Sequence, residues 1–258
     1  MAKGGFATVY FGRDLQCNRE PVAVKLIRFR PDLSEWINRR WKLEQKALES
    51  LRHPGILQPR EAGITGDDQL FIVTEYVEGV TLQAVLTRGS MELDRAWART
   101  REICEALEYA HTNGILHCDL KPDNIMLRNV GQSDERAVVI DFGTAVFCAP
   151  DHSIMDSNRA AGAADYMAPD RLGGTLSTAT DVYSLALVVF EMLTGVRWRD
   201  AEATAPTESL LQRVLPPSTT EDRCTKLTTV FRDASAFDAH TRTRTVAEFQ
   251  RRLTIALP

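Results

Sequence analysis

The segment His117-Cys118-Asp119-Leu120-Lys121-Pro122-Asp123-Asn124 sets a carboxylate, a lysine two positions on and an amide five positions on within one short stretch. Seventeen residues past Asn124 comes Asp141-Phe142-Gly143, directly after the apolar run Val138-Val139-Ile140. Carboxylate and amide oxygens are ligands for a hard cation, a carboxylate beside a hydroxyl can take its proton, and a lysine is a point charge for an anion. Three unrelated polar turns would also explain the residues, but not their order and spacing. Two other chemistries fit less well. A thiol nucleophile made of His117 and Cys118 requires adjacent loop residues to face each other, and it leaves Asp141-Phe142-Gly143 unexplained. A zinc site from His111, His117 and Cys118 lacks a fourth ligand at any usual spacing.

Further upstream, Lys25 closes the apolar run Val22-Ala23-Val24. At a strand end a lysine can simply snorkel to solvent, or it can face a partner. The helix that follows supplies one. Ile37, Trp41, Leu48 and Leu51 form its apolar stripe, and Glu44 falls on that stripe, three residues from Trp41 and four from Leu48. A carboxylate on a buried stripe needs a cation, because an unpaired buried charge is very costly. Glu49 is the other candidate, but it points off the stripe. Lys3-Gly4-Gly5-Phe6-Ala7-Thr8-Val9, read alone, is a glycine-rich hairpin.

These residues need a scaffold, and the periodicity supplies one in two parts. Ala7 to Phe11 and Pro21 to Phe29 read as strands around a polar turn at Cys17-Asn18-Arg19-Glu20. Ser34 to Leu51 reads as a helix stopped by His53-Pro54-Gly55, and Leu70 to Val77 as a continuous apolar strand. Beyond Gly79 the pattern is mostly helical. Leu93 to Thr112 ends at Asn113-Gly114, Asp181 to Leu193 is apolar on nearly all sides and ends at Gly195, and Val246 to Leu257 is a last amphipathic helix. Ile125 to Leu127 and Ala137 to Ile140 are short strands. A strand-rich part before a helical part is an α+β arrangement.

Composition narrows the partners. The 258 residues hold 31 Lys and Arg against 35 Asp and Glu, a net charge of −4, which is no footprint for nucleic acid or anionic lipid. Leu185 to Leu193 is about half a membrane span and contains Glu191, so no membrane segment is expected. Five cysteines, with no Cys-x-x-Cys pair, fit reduced thiols in a cytoplasmic compartment.

Taken together these motifs resemble a eukaryotic-type protein serine/threonine kinase domain of the sort found also in bacteria, from residue 4 to about residue 250. The resemblance implies a two-lobed fold within residues 1–258. An N-lobe of about residues 1–77 would hold a small antiparallel sheet and one long helix, and a larger, mainly helical C-lobe would fill about residues 80–258. It implies ATP, Mg²⁺ and a protein substrate. Asp119 would orient the acceptor hydroxyl and take its proton, Lys121 would lie beside the transferred phosphoryl group, and Asn124 and Asp141 would hold Mg²⁺. Lys25 would hold the α- and β-phosphates, with Glu44 as its partner. Gly4 and Gly5 would belong to the phosphate-covering loop, with Ala7 in place of its third glycine. Val9 would cover the adenine beside Ala23. Thr74-Glu75-Tyr76-Val77 resembles the hinge, where Glu75 and Val77 would offer backbone groups to adenine and Thr74 would guard the rear pocket. Gly162 to Asp170 resembles the substrate-docking segment, with Asp170 expected to pair with Arg242. Asp181 would brace the catalytic loop, or merely cap its helix.

The departures matter as much. The first glycine position falls on Ala2, so most of the first strand is expected to be absent. Cys118 stands where many kinases have the arginine that pairs with an activation-loop phosphate, so phosphorylation there is not expected to be the main switch. Ala163 replaces a threonine whose hydroxyl bonds the catalytic aspartate and lysine. Two alternatives therefore stay open: a pseudokinase acting as a binding or scaffolding module, and a small-molecule phosphotransferase.

Overall fold

The computed structural model describes residues 2–3, 7–27, 34–148, 154–156, 165–173 and 175–258. Strands β1 (Ala2–Lys3), β2 (Ala7–Asp14) and β3 (Glu20–Ile27) lead into helix α1 (Ser34–Ser50), followed by β4 (Pro59–Ile64) and β5 (Leu70–Glu75). The five strands form one antiparallel sheet in the order β1-β2-β3-β5-β4. Its register sets the site, pairing Val9 with Lys25 and Ala23 with Thr74. Helix α1 packs Leu43, Ala47 and Leu48 into the core, joined by Leu51 just past its end. Trp41 Nε1 donates to the Phe71 carbonyl at 3.1 Å and ties the helix to β5.

After β6 (Gly79–Thr81) and the short α2 (Leu82–Leu86), helix α3 (Leu93–Thr112) runs as its periodicity predicts. Strands β7 (Ile115–Leu116), β8 (Ile125–Arg128) and β9 (Arg136–Val139) flank the motif residues, with a 3₁₀ turn at Pro122–Asn124. Then come β10 (Val146–Cys148), β11 (Ile154–Asp156), a 3₁₀ turn at Pro169–Leu172, and helices α4 (Thr178–Thr194), α5 (Trp198–Thr204), α6 (Thr207–Val214), α7 (Glu221–Ala234) and α8 (Val246–Ala256). Helix α4 is buried on all sides, and Phe190 on it meets Trp198 and Phe231 edge-on. The protein is thus a small antiparallel sheet with one long helix, followed by a larger helical part.

Two boundaries near the site differ from the expectation, and one strand was not expected. Strand β5 stops at Glu75 rather than Val77: opposite Tyr76 stands Pro21, whose carbonyl accepts the Tyr76 N–H at 3.3 Å but which has no N–H to return a ladder bond. Helix α4 starts at Thr178 rather than Asp181, since Thr180 Oγ1 accepts the Ser177 N–H and caps the helix earlier. Asp181 therefore lies inside the helix and is no N-cap. Strand β4 had no sequence signature at all.

Candidate active site

Lys25, on β3, reaches across to α1 and to the far side of the cleft at once. Its Nζ lies 2.6 and 2.8 Å from the two Glu44 oxygens and 3.0 Å from Asp141 Oδ1. Glu44 is buried, at 5% exposure, so its charge is set against the lysine rather than water. Burial works against the lysine's charge, but Asp141 and Glu44 outweigh it and hold the pKa above its ordinary value. The sequence offered Glu44 or Glu49, and the structure brings Glu44 to the lysine.

The opposite wall is the segment after β7. Lys121 Nζ donates to Asp119 Oδ2 at 2.9 Å, and Asn124 Nδ2 donates to the Asp119 carbonyl at 2.8 Å and to Oδ2 at 3.1 Å. Asn124 spends its amine on Asp119, which leaves Oδ1 as its ligand atom. The Ile140 N–H donates to the Asn124 carbonyl at 2.9 Å, so Asp141 is indexed directly to that loop.

Two residues here hold left-handed backbones: Cys118 at φ 63° and Asp141 at φ 62°. Each costs of order 1–3 kcal/mol and persists only where its surroundings impose it. At Cys118 the imposing group is Asp181, fully buried on α4. Its two oxygens accept the Cys118 N–H at 2.7 Å and the His117 N–H at 2.8 Å, and His111 Nε2 lies 2.8 Å away. Burial would raise the Asp181 carboxyl, but the bond from His111 and the backbone donors prevail and lower it. His117 works in the same frame. Its Nδ1 accepts the Asp119 N–H at 3.2 Å, so Nε2 carries the proton and donates to the Ile140 carbonyl at 3.1 Å. Phe142, wholly buried, meets the His117 ring at 4.7 Å.

Between the two walls lies a cleft of about 490 Å³. Val9, Ala23, Lys25, Thr74, Glu75, Val77, Asn124 and Asp141, all expected in the site, line it together with Glu44. Asp119 and Lys121 stand beside Asn124 and do not line the cleft itself. Gly4 and Gly5 lie outside the described residues, as does Ala163. Leu57, Ile72, Met126 and Ile140 add to the apolar lining and were missed. The usable signal was position: Met126 follows Asn124 by two residues and Ile140 precedes Asp141. Glu75 does more than expected. Its N–H donates to the Gln58 carbonyl at 3.0 Å, its carbonyl accepts the Thr74 hydroxyl at 3.1 Å, and its carboxylate accepts from Arg128 Nη2 at 2.7 Å.

Outside the cleft, Arg242 Nη1 donates to Asp170 Oδ1 at 2.8 Å, with both side chains buried. Tyr166 donates its hydroxyl to Glu191, and Asp165 meets Arg197 and Arg199.

Residues 1–237 match the family described as protein kinase domain. The chain is 37% identical over 194 residues to the serine/threonine-protein kinase PrkC of Bacillus subtilis, across 74% of this chain and 29% of that protein. It is 35% identical over 221 residues to the probable serine/threonine-protein kinase CPE1738 of Clostridium perfringens, covering 84% of this chain and 31% of that protein. With the serine/threonine-protein kinase PknB of Mycobacterium tuberculosis it shares 32% identity over 256 residues, 96% of this chain and 40% of that protein. The chain spans less than half the length of each of these relatives.

Proposed function

Because the chain belongs to the protein kinase domain family, we propose that it transfers the γ-phosphoryl group of ATP to serine or threonine hydroxyls of a protein substrate. The observation that supports this best is the cleft in which Lys25, paired with Glu44, faces Asp141 and Asn124, with Asp119 bonded to Asn124 beside it. Residues 1–258 act as one catalytic domain, with an N-lobe to about residue 77 and a C-lobe from about residue 80.

In this reading the apolar cleft lined by Val9, Ala23 and Met126 takes the adenine, and Glu75 and Val77 offer it backbone groups. Lys25 holds the α- and β-phosphates. Asp141 and Asn124 fit Mg²⁺, since they present a carboxylate and an amide oxygen and the ion takes its other ligands from phosphate and water. When bound, Mg²⁺ would offset charge on the phosphates. Asp119 orients the acceptor hydroxyl and takes its proton, and Lys121, held at 2.9 Å, brings positive charge to the transferred group. Phosphoryl transfer asks mostly for positioning and charge, and this is what the residues supply.

The net charge of −4 gives no support to nucleic acid as a partner. Among the described residues no helix is long and apolar enough to cross a membrane. The cysteine usage supports a reducing, cytoplasmic setting for this domain. With Cys118 in place of an arginine, activation-loop phosphorylation is not the main on-switch: phosphatase treatment should leave kcat within a few-fold. The test of the activity is transfer from labelled ATP to a generic protein substrate, with and without Mg²⁺, beside Asp141→Ala. Label lost in the variant supports transfer by this cleft. Nucleotide binding without transfer would point instead to a binding module.

A further inference from the structure

Asp181 fixes the backbone of Cys118, but the side chain of that residue has its own surroundings. Cys118, 4% exposed, packs with Leu116, Val146 and Leu176 in a small apolar cluster separate from the main core. The four residues come from four different places. Leu116 ends β7, Cys118 immediately precedes Asp119, Val146 opens β10, and Leu176 follows the 3₁₀ turn at Pro169–Leu172. Strand β10 pairs antiparallel with β7, with Val146 opposite Leu116. The cluster therefore joins the catalytic loop to both ends of the segment between Phe142 and Ser177.

Side chains alternate across a strand, and β10 uses both faces. Val146 packs toward Cys118, while its neighbour Phe147 lies in the main core with Lys46 of α1 over its ring at 4.4 Å. Helix α1 also carries Glu44. One short strand thus touches the loop that holds Asp119 and the helix that orients Lys25. Just before it, Thr144 Oγ1 donates to the His117 carbonyl at 3.2 Å.

We infer that Val146 and Leu176 are positioning residues for the transfer reaction. Their apolar packing holds the Cys118 side chain while Asp181 holds its backbone N–H, and together the two seat the left-handed peptide that presents Asp119. A charged side chain at Cys118 would have no water in this cluster, so the brace is incompatible with an ionic one. The cluster is small and apart from the core, so its loss should loosen the loop before it unfolds the protein. The inference rests on the kinase reading above.

The test is made on the full chain with Val146→Ala and Leu176→Ala, and with Val146→Thr as a near-isosteric variant that changes polarity rather than volume. Steady-state kinetics should show kcat lowered at least tenfold with KM for ATP within twofold. Leu176→Met and Val146→Ile should restore kcat. Amide exchange should quicken at His117–Leu120 and stay unchanged in β2 and β3. Folded variants with wild-type kcat and unchanged exchange at His117–Leu120 would overturn the inference. If the wild-type protein transfers no phosphate, the proposed function fails, and the amide exchange alone decides whether these residues hold the loop.

Discussion

Glu44 and Asp141 together decide the state of Lys25, and each does so from a different part of the chain. Lys25 keeps its charge in a partly buried site because two carboxylates lie within 3.0 Å. Removing the charge of one while keeping its shape should therefore weaken phosphate binding without emptying the cleft. Glu44→Gln is expected to lower kcat/KM for ATP by roughly ten- to a hundredfold, about 1.5–3 kcal/mol, the usual worth of a hydrogen bond to a charged group. Steady-state kinetics check it, and unchanged kcat/KM would mean the pair is not needed. Glu44 was legible in the sequence because its position on the stripe of Trp41 and Leu48 forced it inward. The bond from Arg128 to Glu75 was not legible, because residues 53 apart meet only once the strands are arranged. Asp181 could be read as a brace only through the family resemblance, since by itself an aspartate near a helix start is an ordinary cap.

Among the elements, α3 and the loop before β9 are held together by a cluster of ions. Glu135, 4% exposed, takes hydrogen bonds from Arg95 at 2.8–2.9 Å and from Arg99 at 3.0 Å. Burial would raise the Glu135 carboxyl, but the bonds from Arg95, the Gly131 N–H and Arg99 prevail and hold its pKa near about 2, against an ordinary 4.5. A depressed carboxylate stabilises the fold above its unfolded pKa, and that stability is lost as pH falls toward the folded value. The contribution at neutral pH is about 3 kcal/mol. Glu135→Gln should lose stability at pH 7 and show a flatter profile between about pH 4.5 and 2 than the wild type. Urea titrations at several pH values check this, and parallel acid profiles would contradict it. Helix α3 was legible to the residue because its apolar positions recur with the helical period and Asn113-Gly114 stops it. Strand β4 was hidden. Pro59-Arg60-Glu61-Ala62-Gly63-Ile64 carries a proline, two charges and a glycine, which an edge strand tolerates and which erase its alternation.

At the scale of the molecule, the sheet and the helical part are stitched along one line. The Leu57 N–H donates to the Val139 carbonyl at 3.0 Å, and the Val139 N–H donates to the Gly55 carbonyl at 2.8 Å. Lys25–Asp141 and Arg128–Glu75 cross the same seam. Deeper in the helical part, Arg242 and Asp170 are a buried pair, Asp170 also accepting from Thr180. Arg242→Ala leaves that carboxylate without its cation and should cost about 3–5 kcal/mol, read as a drop in Tm of many degrees. An unchanged Tm would show that the pair adds nothing. The sharpest single measurement is transfer of label from γ-labelled ATP to a protein substrate by wild type and Asp119→Asn, with phosphoamino-acid analysis of the product. The expected result is label on serine or threonine with wild type, and kcat lower by about 10²–10⁴ in the variant while ATP still binds. Full-rate transfer by Asp119→Asn, or ATP binding with no transfer by the wild type, would contradict the assignment of this cleft as a protein kinase active site.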